Sequence, residues 1–154
     1  MQGHRGVICH TLLAYDRLCG SYKPGVRRNV RIRIMPQKIL VVDDSPTELT
    51  LMTLPLKEAG YAVVTAIDGE DAINKVLSEN PDLVVLDVVM PKKNGFQVCR
   101  EIRTRLGKAA LPVIMLTTKQ EASDKFWGLK QGANEYMSKP FSPEDLLAAV
   151  RRFI

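Results

Sequence analysis

Short, uninterrupted apolar runs recur between residues 35 and 154, and a segment with helical periodicity follows each of them. An apolar run of this kind is typical of a strand that is buried on both faces, as in a parallel sheet. Strands are predicted at residues 38–42, 61–66, 82–87, 111–116 and 134–138. Helices are predicted from 45 to near 60, over 69–79, 96–105 and 121–131, and from 142 onward, and the first begins with a capping-box motif, SPTE. Five strands that alternate with five helices predict an α/β fold with a doubly wound parallel sheet and right-handed crossovers.

The charge of the chain divides it into two parts. Residues 1–34 contain seven Lys or Arg and one acidic residue, whereas the remaining residues carry a net charge of −1. We therefore predict a basic N-terminal extension over residues 1–35 and one folded domain over residues 36–154. The extension is expected to be disordered or loosely docked, or to lie upstream of a natural start at Met35. A functional basic arm is the alternative.

Several classes of protein are excluded by what the chain lacks. No apolar run approaches the roughly 18 residues that cross a bilayer, and no signal peptide is evident, so we expect no membrane association. Both histidines lie in the first 34 residues, and Cys99 is the one cysteine of the predicted domain. This excludes Ser-His-Asp and Cys-His catalytic sites and a histidine-ligated zinc site from the domain. Three cysteines without disulfide-framework spacing suit the reducing cytoplasm.

Polar side chains stand where the predicted strands end. Asp43 and Asp44 follow the first strand, Asp87 ends the third, Thr117 follows the fourth and Lys139 follows the fifth. In open α/β sheets, ligands bind beyond the carboxyl ends of the strands. Three carboxylates there favour Mg²⁺, which prefers oxygen ligands, and suit phosphoryl chemistry with a carboxylate nucleophile. Each residue alone has an ordinary alternative role as a turn former, a helix cap or a loop residue, so the hypothesis depends on their coincidence.

The same motifs give residues 36–154 a family resemblance. They are VVDD at 41–44, LD at 86–87 with MP at 90–91, LPVIMLT at 111–117 and KPF at 139–141. With them the chain resembles the receiver domain of bacterial response regulators, of the single-domain CheY type. The resemblance implies a flavodoxin-like (βα)5 fold with the strand order 2-1-3-4-5. It also implies a signalling phosphoacceptor, which assists its own phosphotransfer and slow dephosphorylation, rather than an enzyme.

The resemblance further implies a role for each residue of the acidic site. Asp87 corresponds to the phosphoryl acceptor, which also takes part in binding Mg²⁺. Asp44 resembles a direct ligand of the metal, and Asp43 resembles a ligand that acts through water. The backbone carbonyl of Val89 would supply one more ligand.

Three other residues are implied to respond to phosphorylation. Lys139 resembles the phosphate-binding lysine, Thr117 the switch hydroxyl and Tyr136 the aromatic switch of the family. A half-buried core aromatic is the alternative for Tyr136. The same resemblance predicts a cis peptide bond between Lys139 and Pro140.

A narrower resemblance is to PilH-type regulators of type IV pilus motility systems, including their cyanobacterial phototaxis relatives. It depends on VVDDSPTE at 41–48, TTK at 117–119, DK at 124–125, WG at 127–128 and QGA at 131–133. It implies phosphorylation by a chemotaxis-type histidine kinase. An output protein would then bind the face formed by the fourth helix, the fifth strand and the last helix. We expect a cytoplasmic monomer that does not bind DNA, since the chain ends at Ile154 without an output domain.

Two other functions stay open. A small Mg²⁺-dependent aspartyl phosphatase of the haloacid dehalogenase type also uses an aspartate nucleophile. That class needs a second aspartate at the position that Val89 occupies here. A phosphorylation-independent interaction module on the same fold is the other alternative.

Three features depart from the family pattern. Asn94-Gly95 stands where Asp-Gly is common, and we expect a turn with positive φ there. Val89 and Lys119 occupy positions that influence the lifetime of the phosphoryl group, so that lifetime stays open. Pro55 lies within the first predicted helix and predicts a kink or a break, because proline removes one helical hydrogen bond.

Overall fold

A computed structural model describes residues 35–118, 126 and 129–154 of the chain. Within them, five strands form one parallel sheet in the order β2-β1-β3-β4-β5. The strands are β1 (Lys38–Val42), β2 (Ala62–Ala66), β3 (Leu83–Asp87), β4 (Val113–Thr117) and β5 (Glu135–Ser138). The helices are α1 (Pro46–Glu58), α2 (Gly69–Glu79), α3 (Gly95–Thr104) and a C-terminal helix (Pro143–Arg151). The predicted fold class and strand order are confirmed, whereas the helix predicted over residues 121–131 lies largely outside the described residues.

Strands β1 and β3 lie side by side at the centre of the sheet, so their carboxyl ends meet. Their register pairs Val42 with Leu86. Successive side chains of a strand point to opposite faces of the sheet. Val42 and Leu86 pack in the core cluster that includes α2 and α3, whereas Ile39 and Leu83 pack in the cluster that includes α1 and the C-terminal helix. Burial on both faces is the physical reason for the uninterrupted apolar runs in the sequence.

A side-chain cap begins each of these four helices. Ser45, Asp68, Asn94 and Ser142 each accept a hydrogen bond from a backbone N–H of the first turn. Each of the four has an extended backbone, as an N-cap residue requires. In a parallel α/β sheet the helices start near the carboxyl ends of the strands. The caps therefore fix the loops on the same edge of the sheet as the candidate site.

The capping box predicted at the start of α1 forms only in part. The Ser45 hydroxyl accepts the backbone N–H of Glu48 at 3.5 Å. The Glu48 carboxylate lies instead 3.7 Å from the Nζ atom of Lys139. A charged partner outside the helix thus competes with the backbone of the cap for this carboxylate.

Because α1 continues through Pro55 to Glu58, the break predicted there is wrong, whereas the kink predicted as its alternative stays a prediction. The proline removes the N–H that would bond to the carbonyl of Leu51. Leu51 is an exposed position of the helix, where water can solvate that carbonyl. The next turn is intact, since the N–H of Ala59 donates to the carbonyl of Pro55 at 3.0 Å. Burial of Leu56 directly after the proline stabilises this continuation.

The turn with positive φ that we expected at Asn94-Gly95 is also wrong. Asn94 has a φ of −73° and forms a full capping box with Gln97 at the start of α3. The positive φ of this loop falls on Lys92, at 64°. Asn94 therefore caps α3 instead of forming a turn with positive φ.

The domain boundary and the expected absence of membrane association both stay predictions. Residues 1–34 lie outside the described residues, so the boundary near residue 35 stays a prediction. Among the residues described here, no helix has both the length and the hydrophobicity of a membrane span.

Candidate functional site

Three carboxylates meet where β1 and β3 end. Asp43 and Asp44 follow β1, and Asp87 is the last residue of β3. One ligand oxygen of each lies within 4.8 Å of the others. Asp43 and Asp87 are buried, whereas Asp44 is exposed. The structure thus brings together the acidic residues that the sequence predicts, with one of them open to solvent.

Lys139 crosses the edge of the sheet to reach this cluster. Its Nζ atom lies 2.7 Å from Oδ2 of Asp43 and 3.1 Å from Oδ1 of Asp87. Its backbone N–H donates to the carbonyl of Thr117 at 2.7 Å, which anchors the residue to the end of β4. The following peptide bond, to Pro140, is cis as predicted. The side chain is 11% exposed, so the ion pairs form largely out of water.

The electrostatics of the cluster are unbalanced toward negative charge. Burial raises the pKa of the Asp87 carboxyl, the neighbouring Lys139 ammonium lowers it, and the charge of Asp43 raises it, with a net rise. Burial lowers the pKa of Lys139, but its hydrogen bond to Asp43 and the charges of Asp87 and Asp43 outweigh burial and leave it raised. One ammonium therefore faces several carboxylates, an arrangement that a further cation would relieve.

Thr117 is buried at the carboxyl end of β4, directly beside the end of β3. The preceding residue, Leu116, is in register with Asp87, and its carbonyl accepts the N–H of Val88 at 2.9 Å. Thr117 itself is in register with Ser138 of β5. The threonine thus lies between the end of β3 and the strand that delivers Lys139.

Tyr136 lies further from the edge, in the middle of β5. It is in register with Met115 of β4, and it is half-buried against the core cluster that includes α2 and α3. This placement agrees with the half-buried core aromatic that the sequence left as the alternative. A switch role for Tyr136 stays a prediction.

The backbone of the loop after β3 holds the Asp87 side chain. The N–H of Val89 donates to Oδ2 of Asp87 at 3.1 Å, while the Val89 side chain is 54% exposed. The family resemblance predicted that the carbonyl of Val89 is a metal ligand, and that role stays a prediction. The hydrogen bond from the Val89 N–H to Oδ2 was not predicted, and it orients the carboxylate so that Oδ1 lies near Lys139.

Two residues of the site were missed by reasoning from the sequence. Glu48 adds a fourth carboxylate to the site, 3.7 Å from the Nζ atom of Lys139, but its position three residues after Ser45 indicated a helix cap. Gly95 packs against the phosphoacceptor candidate: a Cβ atom there would lie 2.3 Å from the carbonyl oxygen of Asp87. Its N–H donates to the carbonyl of Val88 at 3.0 Å. The glycine is therefore required for close approach, although its place after asparagine indicated a turn.

A cavity of about 290 Å³ adjoins Lys139 and Glu48. Its other lining residues come from α1 and from the segments after β4 and β5, and they are Leu51, Thr118, Pro140, Phe141 and Pro143. A group of moderate size can therefore approach the lysine side of the cluster from the direction of α1.

The fold and this acidic cluster define a class of protein. A model of the response regulator receiver domain matches residues 39–151 of the chain. The chain belongs to this family, and it is a receiver-domain response regulator of two-component signalling. Receiver domains are signalling proteins. The resemblance drawn from the strand-end motifs is confirmed.

Individual relatives extend this assignment. Protein PilH of Pseudomonas aeruginosa is 43% identical over 113 residues, which are 73% of this chain and 93% of that protein. The alkaline phosphatase synthesis transcriptional regulatory protein PhoP of Bacillus subtilis is 48% identical over 120 residues, or 78% of this chain. That region is 49% of PhoP, so the chain spans about half the length of this relative. The predicted similarity to PilH-type regulators is confirmed.

Solved structures support the same fold. The chemotaxis protein CheY4 of Vibrio cholerae aligns with a TM-score of 0.73 and 35% identity, over 77% of this chain and 99% of that chain. An activated receiver domain, that of DrrB with BeF3, aligns with a TM-score of 0.70 and 38% identity, over 77% and 97% of the two chains. The predicted CheY-like resemblance is confirmed.

Proposed function

We propose that Asp87 accepts a phosphoryl group from a histidine kinase, with Mg²⁺ held by the acidic cluster. The observation that carries this proposal is the position of the Asp87 carboxylate, which is buried, 3.1 Å from the Lys139 ammonium and within 4.8 Å of ligand oxygens of Asp43 and Asp44. A carboxylate nucleophile, a cation and a set of oxygen ligands are the parts that phosphoryl transfer requires.

The acidic cluster fits a magnesium ion by the chemistry of its donors. Hard divalent cations prefer carboxylate and carbonyl oxygen, and Mg²⁺ keeps several waters. Asp44, Asp87 and the carbonyl of Val89 would be direct ligands, and Asp43 would act through water. The bound ion supplies positive charge that stabilises a phosphoryl group and offsets repulsion among the carboxylates.

The residues of the chain have separate tasks in the proposed transfer. A carboxylate oxygen of Asp87 attacks phosphorus, the bond from phosphorus to the imidazole nitrogen of the donor breaks, and the electron pair leaves with the nitrogen. An aspartyl phosphate forms. The Lys139 ammonium stabilises the charge on the phosphoryl oxygens, and the Thr117 hydroxyl donates a hydrogen bond to one of them. Water later attacks the same phosphorus, the bond from phosphorus to the Asp87 oxygen breaks, and inorganic phosphate leaves while the carboxylate is restored. The site would thus assist both its own phosphorylation and its slow dephosphorylation.

The biological setting that we propose is motility or taxis driven by type IV pili. The similarity to PilH over 93% of that protein supports this setting. A chemotaxis-type kinase would be the donor. Phosphorylation would change the binding of an output protein to the face that includes β5 and the C-terminal helix, and the receiver would act as a cytoplasmic monomer without binding DNA.

The decisive experiment uses a small phosphodonor, acetyl phosphate, and intact-mass spectrometry. The full chain should gain one phosphoryl group when Mg²⁺ is present and none when the metal is chelated. Asp87→Asn should gain none under either condition. Asp82→Asn is the matched control, since Asp82 immediately precedes the same strand at its amino end, and it should react like the natural chain.

Each alternative gives a different result in this experiment. An aspartyl phosphatase would release inorganic phosphate in many turnovers without a lasting adduct. A phosphorylation-independent module would take up no phosphoryl group at all. A normal adduct on Asp87→Asn would contradict the assignment of the acceptor.

A further inference from the structure

The loop that joins β3 to α3, residues 88–94, is closed tightly at its base. At its start, the N–H of Val88 donates to the carbonyl of Leu116 at 2.9 Å, and its own carbonyl accepts the N–H of Gly95 at 3.0 Å. Between these points the N–H of Val89 donates to the Asp87 carboxylate at 3.1 Å. A movement of this loop would therefore carry the Asp87 side chain with it.

The tip of the loop has a strained backbone. The N–H of Lys93 donates to the carbonyl of Pro91 at 2.8 Å, which closes a three-residue turn with Lys92 at its centre. Lys92 has a φ of 64°, in the region that favours glycine. A γ-turn with positive φ at its central residue is rare and strained. Such a conformation persists only where surrounding contacts hold it, and it is concentrated at functional sites.

An ion pair connects this turn to the start of α2. The Nζ atom of Lys92 lies 2.7 Å from Oδ2 of Asp68. The other oxygen, Oδ1, caps α2 by accepting the N–H groups of Glu70 and Asp71 at 2.9 and 2.8 Å. The hydrogen bond from the backbone N–H of Asp71 and then the Lys92 ammonium lower the pKa of the Asp68 carboxyl. One carboxylate thus serves the helix and the loop at once.

A second contact shows how closely the loop lies on α2. A Cβ atom at Gly69 would lie 2.6 Å from Cβ of Lys93 and 2.7 Å from its carbonyl oxygen. The Lys93 ammonium points elsewhere, because its Nζ atom lies 2.6 Å from Oε1 of Glu101 on α3. Two adjacent lysines therefore secure the loop to two different helices, and only Lys92 occupies the centre of the strained turn.

We propose that Lys92 is a positioning residue, whose ion pair with Asp68 holds the strained turn and so keeps the amide of Val89 on the Asp87 carboxylate. This inference deepens the proposed function of the site and depends on it. Without the ion pair, the turn would relax toward negative φ, and the Val89 backbone would contact Asp87 for less of the time. Binding of Mg²⁺ and phosphorylation of Asp87 would both weaken.

The test compares two neighbouring lysines in the full chain. Lys92→Gln should lower Mg²⁺ affinity, measured by titration calorimetry, about three- to tenfold. Residues that orient metal ligands typically change metal affinity about 10- to 100-fold when they are replaced. The loss expected here lies at or below the lower limit of that range, because the Lys92 side chain is 57% exposed and solvent weakens its ion pair. The rate of phosphorylation by acetyl phosphate at a fixed, subsaturating Mg²⁺ concentration should fall by a similar factor. Lys93→Gln, which breaks the pair with Glu101 instead, should leave both quantities within about twofold of the natural chain.

Two further variants separate positioning from a general loss of structure. Asp68→Asn keeps a good N-cap but removes the charge that binds Lys92, so it should reproduce the effect of Lys92→Gln. The double variant should be no worse than either single one, because both remove the same interaction. Lys92→Arg should restore Mg²⁺ affinity to within about twofold, which a purely steric role of the lysine would not predict.

A readout without metal or phosphodonor keeps this inference separate from the proposed function. Hydrogen exchange of the Gly95 amide should be at least about threefold faster in Lys92→Gln than in Lys93→Gln, because its bond to Val88 closes the loop. Equal exchange and equal Mg²⁺ affinity in these two variants would overturn the positioning role. A natural chain that takes up neither Mg²⁺ nor phosphate would refute the proposed function, and the exchange rates would still decide whether Lys92 holds the loop.

Discussion

At the amino end of the sheet, Lys38, Asp82 and Arg103 each have charged or hydrogen-bonding partners, whereas at the carboxyl end several carboxylates lie around one ammonium, that of Lys139. The backbone N–H of Lys38 donates to Asp82 at 2.7 Å, and the Lys38 ammonium lies 3.0 Å from the Glu79 carboxylate. Arg103 of α3 donates to three backbone carbonyls and to the side chain of Asn134, at 2.6–2.9 Å. These contacts connect α2, α3 and the starts of the strands.

The carboxyl end has the opposite balance. Asp43, Asp87 and Glu48 all lie within 4 Å of one ammonium, that of Lys139, and exposed Asp44 adds a further negative charge. Burial and the charge of Asp43 help to raise the pKa of Asp87 against the effect of this lysine. We infer from this difference that the contacts of Lys38 and Arg103 stabilise the fold, whereas the carboxylates around Lys139 are arranged for the proposed Mg²⁺ at some cost in stability.

The largest effect on stability is expected from removing the contacts of Arg103 at the amino end of the sheet. Arg103→Ala should lower the free energy of unfolding in urea by about 2–3 kcal/mol, because several partly buried carbonyls lose a charged donor. Arg105→Ala, at the C-cap of the same helix, is the matched control. The Arg105 side chain is 71% exposed and makes one described contact, to the Glu101 carboxylate at 3.4 Å, so its loss should change stability by about 0.5 kcal/mol or less. Equal losses for the two variants would remove the contrast between the two ends.

The second effect concerns the ligand that the carboxyl end is proposed to hold. Mg²⁺ at ten times its dissociation constant should raise the free energy of unfolding by about 1.4 kcal/mol, because the ion binds the folded state. Arg103→Ala should show the same increase, since its defect lies at the other end of the sheet. Asp87→Asn should lose most of it. NaCl at matched ionic strength is the control for screening, and an equal increase with NaCl would contradict a specific site.

A smaller effect is expected from Asp87 in the metal-free chain. Because its folded-state pKa is raised, the folded state binds more protons than the unfolded state between the two pKa values. Stability therefore falls as pH rises through that interval, and at pH 7 Asp87→Asn should melt about 2–5 °C higher than the natural chain. The difference should shrink as the pH falls and Asp87 becomes protonated. A lower melting temperature for Asp87→Asn at pH 7, with EDTA present, would refute the charge imbalance.

The smallest effect is expected at an exposed pair of the amino end. Glu79→Gln removes the ion pair with Lys38, in which both side chains are partly exposed. Stability in urea should change by no more than about 0.5 kcal/mol, because solvent screens such pairs. A loss comparable to that of Arg103→Ala would mean that simple ion pairs, rather than the multiple contacts of one arginine, hold this end together.

Much of the fold could be predicted because its signals are local. A strand that is buried on both faces needs an apolar run, so β1 and β3 could be predicted. A helix start favours a capping side chain, so the caps at Ser45 and Ser142 could be predicted as well. The errors arose where tertiary contacts outweighed local preference. Packing of α1 carried the helix past Pro55, and Lys92 rather than Asn94 took the positive φ.

The sequence alone determined the order of the elements and the place of Asp43, Asp87 and Lys139 at strand ends, because a parallel sheet puts all carboxyl ends on one edge. It could not determine which groups share the lysine. Asp43 and Lys139 are separated by 96 residues in the chain, and only the strand order and the loops between them bring their atoms to 2.7 Å. The raised pKa of Asp87 likewise depends on the tertiary structure, because burial and neighbours from distant segments set it.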